Sequence, residues 1–166
     1  MKCNKEALIP YFFDTFAGLN HLQRSLFAQD LSGMQSFSHS LFISMAKEII
    51  FSDKAPAPIG PYSQAVKVNG TLYVSGQIAA ELAQSGDIKA EAGVVMQNIG
   101  HILGAAGLGF GNVVKSSIFL KDMNDFAAVN EIYGSFFKSE PPARETVQVA
   151  RLPKDVNVEI SVIAVE

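Results

Sequence analysis

The stretch from Val156 to Val165, V-N-V-E-I-S-V-I-A-V, constrains the fold more than any other part of the chain. Side chains along a strand alternate between faces, so Val158, Ile160, Val162 and Ala164 share one side. That side is uniformly apolar and calls for a covering layer of helices. The other side carries Asn157, Glu159, Ser161, Ile163 and Val165, and is half apolar. A sheet whose second face is half apolar needs a partner as well. Association through that face, as a dimer or a closed ring, is therefore expected. Composition agrees, because 48% of the 166 residues are hydrophobic and only 17% are charged, more apolar surface than one small globule hides.

The remaining periodicities place that strand in an α+β domain. Lys54 to Pro61 (K-A-P-A-P-I-G-P) is extended, since its prolines forbid a helix. Ala65 to Val68 and Leu72 to Ser75 flank Asn69-Gly70, the pair best suited to a type I′ hairpin turn. Gly86-Asp87 marks a turn, and Ala90 to Ala105 reads as a helix with Val94, Val95, Ile99, Ile102 and Leu103 on one side. Val113 to Leu120 reads as a strand. Asn124 to Phe137 reads as a second helix, through Phe126, Val129, Ile132, Tyr133 and Phe136. Thr146 to Ala150 is a further strand, separated from the last by a turn at Pro153. The expected order is β-β-α-β-α-β-β, a mixed sheet with both helices on one face.

Residues 1–44 differ from the rest. They hold six of the twelve phenylalanines and equal numbers of acids and bases, so the net charge of −3 belongs to residues 45–166. Within them Leu19, Leu22, Leu26 and Phe27 keep helical spacing, as do Leu41, Met45 and Ile49 across the boundary. This extension reads as an upstream stretch ahead of a start at Met45, as a docked arm, or as a targeting segment. Glu6, Asp14 and Asp30 count against a transit peptide, which is acid-poor. Cytoplasmic residence is the expectation, replaced by a mitochondrion or another organelle if residues 1–44 are a transit peptide. No apolar run reaches the roughly 20 residues of a membrane helix. The acidic balance argues against nucleic acid as a partner. Cys3 is the single cysteine, and His21, His39 and His101 have no ligand spacing, so no metal site is expected.

Several residues carry candidate chemistry. Arg144, in P-P-A-R-E-T, offers a planar fork that matches a carboxylate, or else pairs with neighbouring Glu145 at a rim. Glu159 stands mid-strand, where glutamate is disfavoured, so it either faces water or is held for acid–base work. Tyr62 and Ser63 follow the Ile59-Gly60-Pro61 turn, and Ser75-Gly76-Gln77 ends a strand, where glycine permits close approach of a ligand. The glycines from Gly104 to Gly111 follow a helix and precede a strand. They therefore read as a helix cap and turn, and not as a phosphate loop.

Four stretches together are similar to one family: K-A-P-A-P-I-G-P-Y-S-Q-A-V (54–66), L-Y-V-S-G-Q-I (72–78), V-V-K-S-S-I-F-L-K-D-M-N-D-F-A-A-V-N-E-I-Y (113–133) and P-P-A-R-E-T-V-Q-V-A-R-L-P-K-D-V-N-V-E-I-S-V-I-A-V (141–165). The chain resembles the Rid family of reactive intermediate deaminases, also called YjgF or L-PSP proteins, from about Lys47 to Val165. The resemblance implies a chorismate-mutase-like fold assembled as a homotrimer, with sites in the clefts between subunits. It implies hydrolysis of 2-imino acids or their enamine tautomers, such as 2-aminoacrylate and 2-aminocrotonate, to 2-keto acids and ammonia, without a cofactor.

Position by position, the resemblance makes Arg144 the clamp on the substrate carboxylate and Glu159 the group that positions the attacking water. Tyr62 becomes the aromatic beside the substrate, Ser75 and Gly76 the lining loop, and Asn130 the polar residue of the second helix. Thr146 takes the place of a residue, often cysteine, whose backbone carbonyl helps hold the water. Two stretches depart from the family pattern, the loop Ala79 to Ile88 and the first-helix start at Glu91, and both are expected near the rim. Two other classes compete: a nonenzymatic trimer that binds carboxylate metabolites or chaperones partners, and a ribonuclease or translation inhibitor.

Overall fold

A computed structural model describes residues 46–166, so residues 1–45, with the helical spacing around Leu19 to Phe27, lie outside the described residues. Six strands and two long helices form the domain: β1 (Glu48–Ile50), β2 (Ala65–Val68), β3 (Thr71–Gln77), α1 (Ile88–Ala105), β4 (Val113–Leu120), α2 (Phe126–Ser135), β5 (Ala143–Gln148) and β6 (Val158–Val165). They make one sheet in the order β1-β2-β3-β6-β4-β5. All neighbours are antiparallel except β4 and β5, which run parallel, so the sheet is mixed. The strand read first in the sequence, β6, lies in the middle, and its alternation is nearly complete: Val158, Ile160, Val162 and Ala164 are buried, with half-exposed residues between them.

Val95, Met96, Ile99, Ile102 and Leu103 of α1 and Val129 and Tyr133 of α2 cover that apolar side, so both helices share one face as expected. Asp87 caps α1 by accepting from the Ala90 N–H, 2.9 Å away. Asn69 and Gly70 both have positive φ, 49° and 73°, the geometry that a type I′ turn demands. The glycine-rich stretch closes α1 through Gly107, at φ 75°, as a C-terminal cap. On the opposite face Ile49, Val66, Tyr73 and Ile163 fall in one cross-strand row. Ile49 and Tyr73 are about half exposed there, at 52% and 49%.

Four sequence readings need correction. Ile49 belongs to β1, paired with Val66, and not to a helix continuing from Leu41 and Met45. Three residues rich in β-branched side chains fit a sheet edge, whereas Leu41 and Met45 lie outside the described residues. The fifth strand is Ala143–Gln148, earlier than Thr146 to Ala150, because parallel pairing with Lys115–Leu120 extends back through Arg144. The last strand begins at Val158, after a Pro153–Asp155 turn in which Lys154 and Asp155 have positive φ. The second helix begins at Phe126 and ends at Ser135, with a separate 3-10 turn at Met123–Asp125.

Candidate active site

Between Val74 and Gln77 the pairing of β3 with β6 slips, because three steps on β3 match two on β6. This bulge carries Ser75 and Gly76 over Glu159 of β6. A Cβ on Gly76 would lie 1.9 Å from Glu159 Oε1 and 2.8 Å from its Cδ, so only glycine leaves the carboxylate in place. Phe119 is its cross-strand neighbour on β4. Burial raises the Glu159 pKa above its ordinary value, and no charged or hydrogen-bonding neighbour offsets that rise. The carboxylate opens on a cavity of about 320 Å³ lined by Ile59, Tyr62, Ser75, Gly76, Ile78 and Pro153.

The wall of this cavity is fixed from beneath. The Ser75 hydroxyl donates to the Ser63 carbonyl at 2.7 Å, and the Tyr62 hydroxyl accepts from the Ile59 N–H at 3.3 Å. Gln64, almost wholly buried, accepts from the Ser52 N–H and donates to the carbonyls of Ser52, Ala55 and Pro56. Prolines supply no N–H, so a loop rich in them leaves carbonyls in need of a donor, and Gln64 provides one.

Arg144, on β5, lies elsewhere. Its Nη1 donates to Asn130 Oδ1 at 2.8 Å, and its guanidinium sits 4.9 Å from the Tyr133 ring centroid and 5.8 Å from that of Phe126. It does not pair with Glu145, which bonds Lys115 and Ser117 and has its pKa lowered chiefly by Lys115. Thr146 shares the helix-covered side of β5 with Arg144, and its buried Oγ1 has no partner among the described residues.

The register separates the two groups. Arg144 pairs with Ser116 of β4 and Glu159 with Phe119, and positions three apart on a strand point to opposite faces. Tyr62, Ser75, Gly76 and Glu159 thus gather on the open face, while Arg144, Asn130 and Thr146 belong with the helices. Among the described residues no group of three His, Cys, Asp or Glu side chains could hold a metal ion, and no helix is long and apolar enough to cross a membrane.

Sequence reasoning missed three residues. Gln64 was readable from the proline-rich acceptors before it. Tyr133 was placed only as an apolar member of a helix face. Glu91, expected at the rim, is wholly buried. Its Oε1 accepts from the Asn157 N–H at 2.7 Å and the Val158 N–H at 3.3 Å, and its Oε2 from Asn157 Nδ2 at 2.8 Å. These bonds satisfy a polar group whose burial would otherwise be costly, and they tie the first turn of α1 to the start of β6.

Fold and site together define a small α+β domain with a metabolite-sized cleft on its sheet. The model of the family described as Endoribonuclease L-PSP matches residues 52–166. The chain belongs to this family, which includes the Rid and YjgF proteins. It is 51% identical over 127 residues to a RutC family protein of Synechocystis, covering 73% of this chain and 98% of that protein. It is 48% identical over 127 residues to the mouse 2-iminobutanoate/2-iminopropanoate deaminase, covering 74% and 94%. Among solved structures, E. coli TdcF with bound serine aligns at TM-score 0.68 and 42% identity over 72% of this chain and 98% of that one. The E. coli YjgF gene product aligns at TM-score 0.67 and 44% identity over 72% and 98%.

Proposed function

We propose that this chain is a hydrolytic deaminase of reactive 2-imino acids and their enamine tautomers, 2-aminoacrylate and 2-aminocrotonate among them. The observation that carries the reading is the Glu159 carboxylate, desolvated over Gly76 and facing a cavity of about 320 Å³. An iminium carbon is already electrophilic, so the protein needs to supply orientation and a positioned water rather than a cofactor. Glu159 takes a proton from water as its oxygen bonds to the imine carbon. The same proton then passes to the amino nitrogen of the carbinolamine. The C–N bond breaks, ammonia leaves, and Glu159 takes the hydroxyl proton as that oxygen becomes the carbonyl of a 2-keto acid; the proton departs with ammonia as ammonium. Arg144 holds the substrate carboxylate with Asn130 beside it, Tyr62 flanks the substrate, Ser75 and Gly76 line the pocket, and the Thr146 carbonyl helps hold the water. The mouse relative bears the name of this activity.

Because Arg144 and Glu159 lie on opposite faces, a shared ligand requires two copies of the chain. A homotrimer built through the open face, with sites between subunits, meets that need, and the apolar row of Ile49, Val66, Tyr73 and Ile163 supports it. One observation favours a second reading, binding of carboxylate metabolites without turnover: a structural relative holds serine. An RNA substrate fits less well, since the net charge is −3 and Lys67, Lys89, Lys115 and Arg151 each pair with a carboxylate.

The test generates 2-aminoacrylate or 2-aminocrotonate with a dehydratase, traps free imine with semicarbazide, and compares wild type, Arg144→Ala and no protein. Wild type suppresses trapping, and Arg144→Ala loses about 10²-fold or more in kcat/KM. A folded wild type that suppresses nothing, yet binds 2-oxobutanoate, moves the assignment to carboxylate binding.

A further inference from the structure

Arg144 has long rotamer freedom and one direct hydrogen bond, so something else must hold its fork in a fixed plane. Its guanidinium lies 4.9 Å from the Tyr133 ring centroid, closer than to Phe126 at 5.8 Å. Asn130 and Tyr133 are three residues apart on α2 and therefore share one side of the helix, with Phe126 one turn earlier. The Tyr133 ring is itself locked. Its hydroxyl donates to Ser116 Oγ at 2.9 Å, Ser116 and Tyr133 are both buried, and Phe137 packs against the ring at 4.7 Å. Ser116 is also the β4 residue paired in register with Arg144. The same β4 position thus sets the height of the guanidinium through the sheet and of the ring through its hydroxyl.

We infer that Tyr133 is a positioning residue: its ring is the platform that orients the Arg144 guanidinium, leaving Asn130 to engage Nη1 and the rest of the fork free for a substrate carboxylate. This rests on the deaminase reading for its substrate, but the platform itself follows from the packing. A planar cation over an aromatic face gains electrostatic attraction and loses orientational freedom, and both effects favour bidentate capture of a planar carboxylate. An aliphatic side chain of similar volume would fill the core and supply neither.

The experiment compares wild type, Tyr133→Phe and Tyr133→Leu in full-length protein, reading kcat, KM and Tm for 2-aminocrotonate hydrolysis and the Kd of 2-oxobutanoate. Tyr133→Leu raises KM and Kd about tenfold, with a smaller change in kcat, and Tyr133→Phe restores both to within about threefold of wild type. A role confined to core packing would lower Tm in Tyr133→Leu and leave the KM and Kd of the folded protein unchanged, and that result overturns the inference. If Tyr133→Leu does not fold, Tyr133→Met, whose flexible side chain adapts to irregular gaps, replaces it with the same expected shift. If wild type hydrolyses no imine but binds 2-oxobutanoate, the deaminase reading fails alone and the Kd series decides the platform. If wild type neither hydrolyses nor binds, both fail.

Discussion

Replacing Gly76 by alanine adds a single methyl group to the least tolerant point of the cleft. Its carbon would stand 1.9 Å from Glu159 Oε1, 2.8 Å from Cδ and 3.1 Å from Cγ. Ordinary carbon contacts begin near 3.5 Å, so the carboxylate must retreat by about 1.6 Å. A misplacement of about 1 Å costs on the order of 10²-fold in rate when a positioned group carries the chemistry. We therefore expect kcat for imine hydrolysis to fall about 10²-fold or more. The Gly76 backbone is not in the left-handed region, so alanine adds no φ strain there. Alanine also removes unfolded-state freedom worth about 0.4–1 kcal/mol. The group displaced is the end of a flexible side chain, so stability should change by less than about 1 kcal/mol.

The same substitution has a pH signature. Glu159 is held above its ordinary value by burial alone, and a carboxylate pushed into water loses that cause. A general base works only when deprotonated, so the acidic limb of the residual kcat profile should move to lower pH in Gly76→Ala. The measurements are kcat across pH and a thermal melt on matched protein concentrations. Gly76→Ala with kcat within about threefold of wild type and an unmoved acidic limb would refute the placement of Glu159 as the working base.

Glu159→Gln should lose activity yet be more stable than wild type at neutral pH. The folded protein binds the Glu159 proton more tightly than the unfolded chain, whose ordinary value is 4.5, so wild-type stability falls as pH rises from 4.5 through the raised folded value. Glutamine carries no such dependence, and its advantage in Tm should vanish on acidification; a gap that widens toward low pH would contradict the burial argument. Glu91→Gln turns one acceptor oxygen into a donor facing the N–H groups of Asn157 and Val158, or the Asn157 amide. It should cost about 3 kcal/mol, read by denaturant titration, with kcat of the folded protein little changed.

The sequence made the central strand, the hairpin and the helices legible because each depends on local spacing. Val158, Ile160, Val162 and Ala164 announce their shared face by period, and Asn69-Gly70 announces its turn by tolerance of positive φ. Strand β1 escaped because its three residues are strand only through pairing with Lys67 to Ala65. Glu91 escaped for a related reason. An acid in the first turn of a helix is ordinarily solvated and favoured by the helix dipole, and the distant Asn157 and Val158 make burial tolerable. Gly76 was readable as a place of close approach, but the group that approaches comes from the end of the chain. The facing of Arg144 was also invisible, since it depends on the parallel register of β5 with β4.

That register links stability to the candidate chemistry. A slip of one residue in β6 would exchange Glu159 with Ile160, burying a carboxylate beneath α1 and presenting an isoleucine to the cleft. Burial of Val158, Ile160 and Val162, each worth about 1.5–3 kcal/mol, opposes that slip at three positions at once, and the Ala164 methyl adds less. The apolar side of the strand therefore fixes the position of its one acid far more firmly than any contact of the carboxylate could. Register sets the face the acid takes, and the space left by the missing Gly76 side chain sets where its flexible end can lie, so a substitution at Gly76 moves the carboxylate without moving the strand.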